Sequence, residues 1–85
     1  MMIQDDQIRD ELLRQVEARG TDKSICPSEV ARALAPEWQG LMGQIRSVAA
    51  VLSREQRIDI LRKGKPVDPD GVKGVIRLRL KPGPD

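Results

Sequence analysis

Apolar residues in the first segment of the chain, residues 4–19, recur at the three- and four-residue spacing of a helix. The apolar positions are Ile8, Leu12, Leu13 and Val16. Asp5 and Asp6 suit the N-terminal turn, where the helix dipole favours negative charge, and Gly20 suits the end of the helix. The pattern predicts an amphipathic helix with one buried face.

A second, short helix is predicted over residues 27–35. Pro27 suits a first turn because its missing N–H would be unpaired there, and Glu29 adds favourable negative charge to that turn. Pro36 ends the helix, since proline disfavours helical geometry in the residue before it. The same constraint on Cys26 favours a brief extended piece before Pro27. The buried side is predicted to consist of Val30, Ala33 and Leu34.

The longest helical pattern spans residues 38–54. Its apolar face comprises Leu41, Met42, Ile45, Val48, Ala49 and Leu52. The opposite face is small apart from two arginines and comprises Gly43, Arg46, Ser47, Ala50 and Arg54. Small side chains let a helix approach another surface closely, and arginines reach base edges or phosphates. This face is interpreted as a contact surface; an ordinary exposed helix face with weak helix formers is the alternative.

Period-two alternation replaces the helical spacing at about Arg57. It covers residues 58–62, where isoleucines flank Asp59, and residues 75–80, where apolar residues alternate with two arginines. The stretch GKPVDPDGVKG between them contains three glycines and two prolines, which predicts one irregular turn. The pattern therefore predicts a two-stranded hairpin with a long, partly basic tip.

The order of these elements is that of a winged helix-turn-helix. This is an α+β fold in which a three-helix core is followed by a C-terminal β-hairpin, the wing. In such domains the third helix enters the major groove of DNA and the wing rests on the adjacent backbone. The extended piece before Pro27 would be a small strand that joins the hairpin. We predict one domain over residues 1–81 and a disordered tail over residues 82–85.

Composition argues against several kinds of chemistry. Without histidine and with a single cysteine, the chain cannot build a tetrahedral zinc site from nitrogen and sulfur ligands, and the commonest general base is missing. Trp38 is the only aromatic residue, so no base-stacking platform for single strands can form. We expect Trp38 to anchor the core rather than line a ligand pocket, and Cys26 to be a small buried residue without catalytic, metal or redox function. The expected protein is no enzyme and needs no cofactor or metal.

The expected location is the cytoplasm. No apolar run approaches the roughly 18 residues that span a bilayer. The first residues, MMIQDDQIRDE, are acidic where a signal peptide would be basic and then apolar. Cys26 has no partner for an internal disulfide, which agrees with a reducing compartment.

Positive charge is concentrated in the second half of the chain. Residues 1–45 carry five basic and eight acidic side chains, whereas residues 46–81 carry ten basic and four acidic ones. This asymmetry indicates a surface for phosphate, although a solvated face with counter-charges explains it too. The lysines near the hairpin tip are interpreted as phosphate contacts; keeping an edge strand soluble is the alternative. The predicted DNA-contacting residues are Gly43, Arg46, Ser47, Ala50, Arg54, Arg62, Lys63, Lys65 and Lys73.

The chain resembles a bacterial winged-helix family whose function is uncharacterised. The resemblance rests on ICPSEVARAL, on Trp38 with Leu41 and Met42, on RKGKPVDP and on GVIRLRL, and it covers most of residues 8–81. It implies the fold and transfers no site or activity.

Two classes of function are predicted. The first is a small protein that binds double-stranded DNA, a transcription regulator or nucleoid accessory that acts alone or as a homodimer. The alternative is a protein–protein interaction module that uses the same scaffold without binding DNA, since a fold does not decide a function. Two arginines on one strand, Arg77 and Arg79, are interpreted as a solvated face rather than a binding surface.

Overall fold

The computed structural model describes residues 2–70 and 73–82, in which three α-helices pack on an antiparallel sheet. The helices are α1 (Asp5–Arg19), α2 (Pro27–Leu34) and α3 (Met42–Arg54). The strands are β1 (Ser24–Ile25), β2 (Ile58–Arg62), β3 (Lys65–Pro66) and β4 (Arg77–Leu80). The predicted α+β class is confirmed, and the element order is compatible with a winged helix-turn-helix. Of the predicted tail at 82–85, residues 83–85 lie outside the described residues.

The first two helices begin and end near the predicted residues. Helix α1 starts at Asp5, one residue later than predicted, and α2 ends at Leu34, one residue earlier, because Ala35 is extended ahead of Pro36 (φ −155°, ψ 145°). At the start of α2, the Cys26 amide donates to Oε2 of Glu29 at 2.7 Å. The predicted buried face of α2 was wrong in one position: Ala33 is exposed, whereas Ala31 is fully buried.

The predicted third helix is divided in two. Residues Trp38–Leu41 form a 3₁₀ helix, and the α-helix starts only at Met42. Gly40 is a weak helix former, and 3₁₀ turns are common at helix N-termini. Trp38 is half-buried against the core, as expected of an anchor, and the Arg32 guanidinium lies 4.6 Å from its ring centroid.

The sheet has the strand order β1-β4-β2-β3, with β4 antiparallel to both of its neighbours. Ile25 pairs with Leu78, which pairs with Ile60, so one row of apolar side chains crosses three strands. The predicted small strand before Pro27 is thereby confirmed. Strand β4 begins at Arg77 rather than at residue 75.

The connection between β2 and β4 differs from the single irregular turn that was predicted. Lys63 and Gly64 both adopt left-handed conformations, with φ values of 53° and 81°, and form a two-residue turn. This turn returns the chain as β3, so that Arg62 pairs with Lys65. Such turns match the twist of the flanking strands, which is why they dominate tight hairpins. A second connection then leads from β3 to β4.

The core lies between the helices and one face of the sheet. Helices α1 and α3 contribute their predicted apolar stripes, α2 contributes Val30 and Ala31, and β2 and β4 contribute alternate residues. Its largest fully buried side chains are Ile8, Leu12, Ile25, Ile45, Leu52, Ile58, Ile60 and Leu78. No helix in the described part of the chain is both long and apolar enough to cross a membrane.

An ion pair ties the helices together outside the core. Nη2 of Arg9 on α1 lies 2.8 Å from Oε1 of Glu55, the residue that follows α3. The hydrogen bond from this guanidinium lowers the pKa of the Glu55 carboxyl below its ordinary value. The pair therefore holds the N-terminal half of α1 against the end of α3.

Candidate nucleic-acid interface

The small face of α3 points away from the core. Gly43, Ser47 and Arg54 are exposed, and Arg46 and Ala50 are half-buried. The Ser47 hydroxyl donates to the Gly43 carbonyl at 3.2 Å, so it lies along the helix rather than projecting from it. The face is consequently flat around its centre, and a second surface can approach the backbone there.

Two arginines connect α3 with the hairpin. Nη1 of Arg46 donates to the Gly74 carbonyl at 3.0 Å, and Nη1 of Arg62 on β2 donates to the carbonyl of Lys73. Both guanidinium groups thus hold the same short stretch, residues 73–74, from two sides. This contact brings the helix and the hairpin within side-chain reach of one another.

The three predicted lysines are exposed around this contact. Lys63 occupies the tight turn, Lys65 begins β3 and Lys73 lies ahead of β4. None of their ammonium groups makes a hydrogen bond or ion pair with another residue in the described ranges. We call Arg46, Arg62, Lys63, Lys65 and Lys73 the basic strip. Uncompensated exposed lysines keep a positive field that favours phosphate.

Arg54 behaves differently from the rest of the predicted site. Its Nη2 forms an ion pair with Oδ1 of Asp70, and both side chains are largely exposed. The Asp70 amide donates a hydrogen bond to Oδ1 of Asp68 at 2.8 Å, and this bond fixes Asp70 in a local turn. The guanidinium of Arg54, which was predicted to contact DNA, is therefore already paired with a carboxylate of the same chain.

The opposite flank of α3 is acidic. Asp5, Asp6 and Arg9 of α1 share a groove of about 270 Å³ with Ser47 and Val51 of α3, and Arg9 is paired with Glu55. Nε2 of Gln44 donates to Oδ1 of Asp5 at 2.8 Å and fixes that carboxylate beside the helix. The charge around α3 is thus asymmetric, basic towards the hairpin and acidic towards α1. Sequence reasoning missed this flank, although both aspartates were noted as a helix start.

The arginines of β4 lie on the sheet face that points away from the helices. Arg79 pairs with Asp59 of β2, with Nη2 and Oδ2 3.3 Å apart. Arg77 is exposed and donates from Nε to Oγ of Ser24 at 2.7 Å and from Nη2 to the Ser24 carbonyl at 3.0 Å. Neither belongs to the basic strip.

Residues that could bind a metal ion are dispersed in the described part of the chain. In residues 2–70 and 73–82, no three His, Cys, Asp or Glu side chains are grouped so that they could hold a metal ion. The carboxyl groups with a lowered pKa, Glu11 and Glu55, owe it first to hydrogen bonds from Arg14 and Arg9, outside the strip. The basic strip can attract anions, and the small outer face of α3 allows close approach of another surface.

The architecture is that of a small α+β domain, compatible with a winged helix-turn-helix, whose positive charge gathers between α3 and the hairpin. The chain belongs to the family described as "Protein of unknown function (DUF3253)", which matches residues 5–81. The predicted resemblance to an uncharacterised family is confirmed at that level. No curated protein matches the chain.

Proposed function

We propose that this protein binds double-stranded DNA, with α3 towards the major groove and the basic strip on the adjacent phosphates. It would act as a small transcription regulator or nucleoid accessory, alone or as a homodimer. The observation that carries the proposal is the shared grip of Arg46 and Arg62 on residues 73–74, which makes the strip continuous from helix to hairpin.

The chemistry of the strip supports this assignment. Its lysines are exposed and free of carboxylate partners in the described chain, so phosphates would neutralise charge that the fold leaves uncompensated. The small outer face of α3 suits close approach to a groove, because Gly43 and Ala50 add little bulk. Helix and hairpin together can therefore contact bases and backbone at once.

The direct experiment is selection from random duplexes followed by titration of the preferred duplex. Arg46→Ala should cost about 1–3 kcal/mol on that duplex and little on others if the guanidinium leaves Gly74 for a guanine edge. Arg57→Ala is the matched control, because Arg57 is exposed but lies outside the strip. Equal effects of the two substitutions would contradict base recognition by Arg46.

A protein-interaction module is the second candidate, and one observation favours it. The acidic flank formed by Asp5 and Asp6 would repel phosphates, and it borders Val51, which is 46% exposed. An apolar residue beside carboxylates suits a protein surface with basic groups better than it suits DNA. A partner that protects Val51 and Asp6 from solvent, while duplex binding stays undetectable at high micromolar protein, would favour this function.

A further inference from the structure

A groove of about 460 Å³ opens on the sheet face that points away from the helices. Leu61 forms an apolar part of its lining and is only 6% exposed, although it does not belong to the core cluster. Val75 lines the groove too and is 82% exposed, so its side chain is accessible to a ligand. The volume lies within the range of small-molecule sites.

The lining of the groove includes Arg62, Lys63 and Arg77, and it contains no aspartate or glutamate among the described residues. Arg77 of β4 projects on the groove side of the sheet with its cross-strand partner Leu61, whereas the next residue of β2, Arg62, turns its guanidinium to the Lys73 carbonyl on the helix side. Lys63 adds a second positive charge from the tight turn. The groove therefore combines an apolar lining with net positive charge.

The guanidinium group of Arg77 is held in place by neutral acceptors. It donates to the hydroxyl and the carbonyl of Ser24. Such contacts fix the orientation of a guanidinium without cancelling its charge. Arg79, on the same sheet face, is by contrast paired with the Asp59 carboxylate. A guanidinium that is already oriented loses less conformational entropy when a ligand binds.

We propose that this groove binds a small organic anion, with its phosphate or carboxylate head between Arg77 and Lys63 and its apolar body against Leu61 and Val75. Arginine forks match such head groups because they donate two parallel hydrogen bonds. Because its lining is partly apolar, the groove should bind an anion with an apolar body more tightly than an inorganic ion or a backbone phosphate. The site is tested without DNA and does not rest on the proposed DNA binding.

The test is a titration of the ¹⁵N-labelled full chain with phenyl phosphate, followed by amide chemical shifts. We expect saturable shifts of residues 61–64 and 75–77, at a several-fold lower concentration than with inorganic phosphate, because the ring buries apolar surface. Phenol, which lacks the charge, should produce no saturable shift.

Two variants and one control locate the head group. Arg77→Gln should weaken phenyl phosphate binding by about tenfold, as expected when a charged hydrogen bond is lost. Lys63→Asn should weaken it by a few-fold, since asparagine tolerates the left-handed conformation at that position. Arg57→Gln, which removes an exposed arginine outside the groove, should leave the affinity unchanged. Wild-type affinity in Arg77→Gln and Lys63→Asn, or equal affinity for phenyl phosphate and inorganic phosphate, would overturn the proposal.

Discussion

Cys26 occupies the residue immediately before the first turn of α2, with its backbone extended (φ −85°, ψ 140°). Its thiol is half-buried rather than buried, and Sγ accepts a hydrogen bond from the Ser28 hydroxyl at 3.0 Å. This is the N-cap position, where a side-chain oxygen normally accepts from the first amides of the helix. Cys26 therefore helps to start α2, but its sulfur is a weaker hydrogen-bond acceptor than the oxygen of a preferred N-cap residue.

Substitution of Cys26 tests this role. Cys26→Ser should be more stable than Cys26→Ala by about 1 kcal/mol, because serine is a preferred N-cap and alanine cannot cap. The measurement is the free energy of unfolding of both variants in urea. A serine variant less stable than the alanine variant would show that Cys26 acts through packing instead.

The helices and the two longer strands were predictable from local patterns. Each helix was found because apolar residues repeat every three or four positions, and β2 was found over its full length because isoleucines alternate with Asp59. Strand β3 was missed because it has two residues, one of them Pro66, and carries no alternation. The tight turn was missed because Gly64 was assigned, with the other glycines and prolines, to one long connection.

Two glycine-to-alanine substitutions, one in the tight turn and one in α3, should change the stability of the protein in opposite directions. At Gly64, φ is +81°, so alanine should cost about 1–2 kcal/mol through backbone strain, although no atom lies within 4 Å of the added Cβ. At Gly43, within α3, the space is equally open, and alanine should stabilise the protein by roughly 0.5–1 kcal/mol. Urea unfolding of both variants measures the difference. Equal effects would contradict the turn geometry.

At the scale of the whole molecule, the candidate site depends on contacts between distant residues. Arg46 reaches Gly74 across 28 positions, and Arg54 reaches Asp70 across 16. The sequence predicted which residues are basic and which helix face is small. It could not predict that residues 73–74 lie beside α3, because hydrogen bonds to backbone carbonyls leave no periodic signal. Nor could it predict the acidic flank, which requires the packing of α1 against α3.

The Arg54–Asp70 pair should oppose DNA binding, since the carboxylate competes with phosphate for the guanidinium. Asp70→Asn should raise duplex affinity by up to about fivefold, the equivalent of one exposed ion pair. Asp10→Asn, an equal charge change at an exposed position of α1, is the control and should have a smaller effect. Fluorescence anisotropy with a labelled duplex measures both. Equal gains would mean that only net charge matters.

The salt dependence of duplex binding tests the central claim most directly. The logarithm of the association constant should fall linearly with the logarithm of salt concentration, at a slope of about −0.9 for each phosphate contact. Lys63→Asn and Lys65→Ala should each make the slope shallower by roughly one, on every duplex alike. Lys23→Ala, which removes an exposed lysine outside the basic strip, should leave the slope unchanged. No binding at low salt, or the same slope in all four proteins, would contradict the account.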